Sequence, residues 1–581
     1  MKRYVYLLWL SFTGLLFSCS EAEHPSTNNG PGLAIYSNAK IYTANPEQPW
    51  AEAMVTKGEQ IIFVGSNEQA QGKFSDQESL KFDLQGRLLM PGIIDSHTHP
   101  GLVSILSYDD TDGEPMPAGG KHDIVAWLNN YIRNNWWQYV VDSGEWDVKP
   151  FLPDGPHKAD LDAVSSWRPI ILFDSSGHSV WVNSAFLDLV GVDKHTENLS
   201  PVSYFVKDEH GELTGWVKEF ALIPYIGDSM LPSEEELREK LRQFLNFLVE
   251  HGVTTLWDAG NLSFHNEVYS VLADLDKEGL LPLRYEASYH IYSEVQLANA
   301  VSELLELRRK YGSDKLRFNS IKIHYDGVLE VKTAALSKPY EDGSGDRGDV
   351  IFERDRLADF MAELEKEGID LHIHAVGDRA VTVALDAKEA IEQKLGKPLD
   401  ISVTLAHLEY VKPEDIPRFQ SLEVTANFTP HWFSADDHVS AAEHNVGHER
   451  YQEHMATDYF VKAGANVTLS SDVISGGEVE RANPFIGLEM SMTRKEYSDG
   501  LGSVKAPADS GLNLASAVDA YTINGAKQLN RDQELGSLRP GKLADFIVLG
   551  ADIFTMKASD IHKVKPIATV ISGELVYGAL Q

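Results

Sequence analysis

Short apolar runs separated by turn residues open the pattern at Leu33. Residues 34–36, 40–43, 60–64 and 82–88 are rich in β-branched and aromatic side chains and lie between Gly, Pro, Asn and Asp, which predicts strands. The far end of the chain answers with residues 544–549, 569–573 and 576–577. A β-rich head and tail around a long middle predict one β-sandwich domain built from both chain ends, residues 33–90 and 535–581. In the middle, strand-like runs alternate with helical ones, which predicts parallel strands. Candidate strands end near His97, Asp174, Asp258, His290, His324, His374, His407, Asn427 and Asp472. That is one more than a (β/α)8 barrel holds. The run ending at Asp174 lies in a segment from about 108 to 226 that is rich in Trp, Gly, Pro and Asp, so it is assigned to an insertion in a barrel spanning 91–534. Residues 232–250 and 355–367 read as helices. Leu357, Phe360, Met361 and Leu364 fall at helical spacing, as a packing face requires.

Composition changes this picture in three places. With 581 residues, 43% hydrophobic and 24% charged, the chain can bury a large core. A formal charge of −36 argues against nucleic acid as a partner, because phosphate recognition needs a basic footprint. Lys2 and Arg3 precede an apolar run over residues 4–17, short of the ~20 residues a membrane-spanning helix needs but suited to a signal peptide. It ends in Leu16-Phe17-Ser18-Cys19, similar to a bacterial lipobox, and residues 20–32 read as a flexible tether. The expectation is export to the periplasm or cell envelope, with a lipid anchor at Cys19 as the only membrane contact; a plain cleaved signal is the alternative. Cys19 is the single cysteine, which excludes internal disulfides, thiolate metal sites and a catalytic cysteine in the body of the protein.

The candidate chemistry sits at strand ends. His97 and His99 alternate on one strand and so share a face. Alone, a His-x-His pair is as compatible with structural histidines as with metal binding. His374, His407 and Asp472 end three further candidate strands, and residues at the C-terminal ends of barrel strands converge on one site. Imidazole and carboxylate suit zinc and similar divalent ions. Lys322 lies inside the apolar run 319–324, where a charged amine is costly. It is either ion-paired or a neutral amine that has captured CO2.

These residues together resemble the amidohydrolase superfamily, and within it the amidohydrolase-3 branch with its N-substituted formamide deformylase-like members. The matching pieces are residues 91–99, Lys322 with Asp326-Gly327, 333–336, 374–380, 406–409, Ser471-Asp472, 522–526 and 536–545. The resemblance covers residues 33–581. It implies a distorted (β/α)8 barrel with a β-sandwich domain from both chain ends. It also implies two zinc ions, with His97, His99 and Asp472 on one metal, His374 and His407 on the other, and a carboxylated Lys322 bridging them. His372 and His324, two residues from better candidates, are left outside the metal set. In the insertion, residues 176–183 resemble a recurrent segment of the branch, which would place His178 and Asn183 near a small-molecule substrate; the alternative is that they hold the inserted region together. His431, just past a strand end, is either a further substrate-side candidate or a loop histidine.

The implied reaction is hydrolysis of a non-peptide C–N bond, in an amide, cyclic amide or N-formyl compound, by metal-activated hydroxide, with Asp472 as ligand and proton shuttle. A mononuclear deaminase of the same fold and a non-catalytic solute-binding lipoprotein are the alternatives.

Overall fold

A computed structural model describes residues 32–106, 116–117, 119–433, 440–497 and 503–580. The expected signal peptide, lipobox at Cys19 and tether up to residue 31 lie outside the described residues, as do 107–115 of the insertion region.

Eight parallel strands form the central sheet: β1 (Ile93–Thr98), β2 (Val253–Asp258), β3 (Arg284–Ile291), β4 (Leu316–His324), β5 (Asp370–Ala375), β6 (Val403–His407), β7 (Val424–Phe428) and β8 (Val467–Leu469). Each pairs with its sequence neighbour, from β1 round to β8. Side chains and loop amides complete the seam between β8 and β1. Ser96 Oγ donates to Leu469 O at 2.9 Å, and Asp472 N–H donates to His97 O at 2.8 Å. All eight predicted barrel strands are present, and their C-terminal ends face one mouth, as in a TIM-like barrel. The run Ile170–Asp174 belongs to a separate sheet.

Helices between the strands supply the outer layer. Glu234–Glu250 starts with Ser233, whose hydroxyl accepts from Glu236 N–H, and with three glutamates in its first turn. Those acids complement the positive end of the helix dipole. Leu237, Leu241, Phe244, Leu245 and Leu248 fall on one face and are buried. In Arg354–Glu367, the predicted face of Leu357, Phe360, Met361 and Leu364 is buried against the barrel.

The chain ends build two further sheets. Residues Gln60–Gly65, Ala53–Lys57, Leu33–Ser37 and Leu80–Asp83 make one. The other has six strands and mixes both ends, with Phe546–Leu549 antiparallel to Leu88–Pro91. Tyr36, Met54 and Ile61 from the first sheet share one core with Ile41, Leu89, Phe546 and Val570 from the second, the arrangement of a sandwich. Residues 82–88, read as one strand, are two. A turn with positive φ at Gln85 and Gly86 (+52° and +81°) carries the chain from one sheet to the other.

The insertion between β1 and β2 forms its own five-stranded sheet, with Val141–Trp146, Ile170–Asp174, Ser179–Val182, Leu213–Lys218 and Phe205–Lys207 adjacent in that order. Trp146, Phe151, Trp181 and Trp216 pack in its core.

A buried ion pair joins barrel to sandwich. Arg284, at the start of β3, lies 3.1 Å from Asp545 with both side chains about 5% exposed, and Asp545 also accepts from Ser572 N–H at 2.7 Å. Asp545→Ala leaves the guanidinium buried without its counter-charge and is expected to cost ~3–5 kcal/mol. Urea denaturation of the purified variant reads this directly, and an unchanged midpoint would show that the pair does not hold the junction.

Candidate metal centre

Four strand ends converge on Asp472. Its Oδ1 lies 3.3 Å from His97 Nε2 and 3.4 Å from His99 Nε2, and its Oδ2 lies 3.4 Å from His407 Nδ1. Lys322 Nζ reaches His97 Nε2 at 3.1 Å. The group is deeply buried: His97 is 0% exposed and Lys322 2%.

The far side of each ring is held in place. His99 Nδ1 is 3.0 Å from Gly260 O, and Gly260 N–H in turn donates to Asp258 at 2.9 Å. Only glycine fits here, because its φ is +109° and a Cβ would lie 2.6 Å from the His290 side chain. His97 Nδ1 is 3.0 Å from His372 Nε2, and His372 stacks on Trp257 with ring centroids 4.0 Å apart. His97 and His99 therefore turn Nε2 toward Asp472, where that of His97 also meets Lys322 Nζ. Such outer contacts are what orient imidazoles as ligands.

Burial, followed by neighbouring positive charge, pushes His97, His372, His374 and His407 well below the usual imidazole range. The rings are neutral and offer lone pairs. Burial also brings Lys322 down to about 7, with Asp472 opposing that shift. Among the described residues neither ring nitrogen of His407 has a hydrogen-bond partner, an expensive arrangement for a buried polar side chain unless something else binds it. The spacings fit a metal. Two ligand atoms on a tetrahedral centre with arms of ~2.0–2.1 Å lie ~3.3–3.4 Å apart.

His374 stands beside this cluster. Its ring lies 4.4 Å from that of His407 and 4.0 Å from that of His324, and its Nε2 lies 3.1 Å from Gly327 O. His178 reaches the same row from the insertion. It lies 5.9 Å from His324 between ring centroids and pairs through Nδ1 with Glu219 at 2.7 Å. Burial disfavours the charged ring of His178, but Glu219 outweighs this and raises it to about 9. Burial disfavours the Glu219 carboxylate too, and His178 and His324 overcome this and hold it well below the usual range.

One substrate-side expectation needs correction. Asn183 is fully buried in the insertion, away from the mouth. Its Oδ1 accepts from Ile170 N–H and Phe186 N–H, and its Nδ2 donates to Ser165 O and Arg168 O, so its amide is fully engaged in joining strand to helix. His431 is buried beside Arg481 on the short turn Pro430–Phe433. The adjacent Trp432 has its ring 5.3 Å from that of His407. The reading of isolated motifs missed Glu219. Its only signal was its place directly after the apolar run 213–217, and pairing with His178 appears only in the folded sheet. Asp95 was also passed over. Its carboxylate accepts from Ser471 N–H and Oγ at 3.0 and 2.6 Å across the barrel seam.

Comparison with known proteins gives the family. The model of the amidohydrolase family matches residues 81–577. The exoenzymes regulatory protein AepA of Pectobacterium carotovorum subsp. carotovorum is 29% identical over 77% of this chain and 96% of its own. N-substituted formamide deformylase of Arthrobacter pascens is 25% identical over 93% and 97%. The crystal structure of an uncharacterized metal-dependent hydrolase from Pyrococcus horikoshii superposes with a TM-score of 0.63 at 23% identity, covering 90% of this chain and 99% of that one. The chain belongs to the amidohydrolase family. As a member of that family it is a hydrolase acting on carbon–nitrogen bonds.

The engagement of Asn183 is open to test. Asn183→Ala removes a helix cap and leaves buried backbone groups unpaired, an expected loss of ~2–4 kcal/mol. KM is expected to stay within about twofold of wild type, as for a residue outside the mouth; a large rise in KM with stability intact would return Asn183 to the substrate.

Proposed function

We propose that the barrel mouth holds two divalent metals, zinc by the chemistry of its donors, and hydrolyses a small amide, cyclic amide or N-formyl compound. The observation that carries this reading is the Asp472 carboxylate facing imidazole nitrogens from His97, His99 and His407 at 3.3–3.4 Å. His97, His99 and Asp472 serve one metal, and His374 and His407 the other. Lys322 lies against the first group, buried in a setting that favours the neutral amine over the ammonium. A neutral amine can take up CO2 with release of a proton to solvent, and the resulting carbamate would be an anionic oxygen donor to the metals.

Metals bound there would supply an acidified water near neutral pH and polarise the substrate carbonyl. The protein's own part is orientation and proton movement. His372 and Gly260 hold the rings of His97 and His99 with Nε2 inward. Asp472 takes the proton from the attacking water at Oδ and returns it to the leaving nitrogen. The relative from Arthrobacter pascens, named for deformylating N-substituted formamides, supports N-formyl and N-acyl compounds as the first substrates to try.

Metal analysis and activity test this together. Wild type is expected to hold about two metal equivalents and to cleave members of an N-formyl and N-acyl panel that includes 4-nitroformanilide. Lys322→Ala is expected to lose one equivalent and at least ~100-fold in kcat/KM, since losing a direct ligand costs more than the ~10–100-fold of an outer-shell partner. Full activity with one metal in Lys322→Ala would favour a mononuclear enzyme, and a silent panel at full occupancy would sink the substrate class.

For the N-terminal segment we infer export and lipidation at Cys19, from the basic start, apolar run and Leu-Phe-Ser-Cys end. Metabolic labelling with radioactive palmitate should mark wild type and spare Cys19→Ala. Equal labelling of the two would refute the anchor.

A further inference from the structure

The insertion reaches the reaction centre through a built turn. Between Ile170–Asp174 and Ser179–Val182, the Asp174 carboxylate accepts from Ser176 Oγ at 3.0 Å, Ser179 Oγ at 2.8 Å and His178 N–H at 3.1 Å. Trp216 Nε1 donates to Ser179 Oγ at 2.9 Å. The neighbouring strand Leu213–Lys218 is antiparallel to Ser179–Val182 and delivers Glu219, whose N–H donates to His178 O at 2.8 Å. Backbone pairing therefore sets His178 and Glu219 side by side.

The seat of Glu219 is equally specific. Its side chain is fully buried. Oε2 lies 2.7 Å from His178 Nδ1 and 3.3 Å from His324 Nε2, and Oε1 accepts from Thr333 Oγ1. Gly327 makes room for it: a Cβ there would come within 2.3 Å of Glu219 Oε1 and 2.1 Å of Thr333 Oγ1. A buried carboxylate needs a counter-charge, and the imidazole at 2.7 Å is the group placed to carry it. Its Nε2 has no hydrogen-bond partner among the described residues, and the ring keeps 20% exposure at the head of a row that runs through His324 and His374 to His407. A fixed donor beside an acyl-transfer centre is placed to meet charge that develops on a carbonyl oxygen.

We propose that His178 is a catalytic hydrogen-bond donor supplied by the insertion, binding through Nε2–H the carbonyl oxygen of the scissile bond, with Glu219 as the positioning residue that fixes its ring. This rests on the amide-hydrolase reading above. The bond to the oxygen tightens as the carbonyl becomes tetrahedral and relaxes when the carbonyl re-forms, with no net proton transfer from His178. The insertion then takes part in the reaction and does more than frame the substrate.

The test uses metal-loaded full chain and the panel member that wild type cleaves fastest. His178→Ala is expected to lower kcat ~10²–10³-fold, the usual range for one such donor, with KM changed less than about threefold and metal content unchanged. His178→Gln, which keeps an N–H donor, should recover part of the loss. Glu219→Gln should lower kcat in the same direction with the metals retained; should it fail to fold, the two His178 variants decide. A rise in KM with kcat intact would overturn the proposal in favour of a remote anchor. Loss of a metal equivalent from His178→Ala would overturn it in favour of a ligand role, and unchanged kinetics would overturn it outright. A panel that wild type leaves untouched would instead refute the substrate reading of the previous section, and this inference with it.

Discussion

The site depends on closing the barrel between its first and last strands. Asp95 and Ser471, 376 positions apart, meet across that seam through two hydrogen bonds. Asp95 is buried, and burial raises its carboxyl to about 7 against the opposing pull of the Ser471 hydrogen bonds, so its contacts are not interchangeable with water. Two residues further along β1 and one further along the other segment, Asp472 N–H reaches His97 O. The same seam thus ties the histidine pair to the carboxylate it faces. Asp472 and His407 both carry positive φ, +50° and +76°. Such conformations are costly for residues with a Cβ and persist where the surroundings over-determine them. Here the surroundings are the joined strand ends, and the reward is a carboxylate and an imidazole turned toward each other.

Around that seam, the protein divides its work by distance from the mouth. Nearest are the side chains on the strand ends. Behind them stand groups whose only visible task is to hold a ring: His372 on Trp257, and Gly260 on an Asp258 that also binds Asn261, Tyr269 and Tyr285. A network of this kind is stiff because one buried carboxylate is held by several donors at once. The sandwich meets the barrel at the opposite level, through Arg284 and Asp545 near the start of β3, and does not reach the reacting groups. The insertion does reach them, through one turn and one strand end.

Much of this was legible beforehand because barrel strands write their role in a simple pattern. An apolar run that ends in a polar residue means a buried strand pointing at the mouth, and His97, His374, His407 and Asp472 all carry that mark. Lys322 was conspicuous for the same reason, as an amine where apolar residues belong. Asn183 misled because its motif resembles a site segment while its amide is spent on backbone groups of its own fold unit. Glu219 was invisible because its significance lies in cross-strand pairing with His178, and register between strands separated by some 30 residues of chain is not written in either one. The turn at Gln85-Gly86 was hidden likewise: both sheets accept the same β-rich residues, so composition does not tell where the chain changes sheet.

By itself, then, the sequence determined the barrel, its eight strands and the chemical types gathered at their ends, since hydrophobic periodicity and strand direction are local properties. Tertiary structure alone decided which atoms face one another: His372 behind His97, Glu219 between His178 and His324, and Asp472 opposite three imidazoles. Those choices follow from strand register, backbone strain and burial, which exist only once distant segments are packed together.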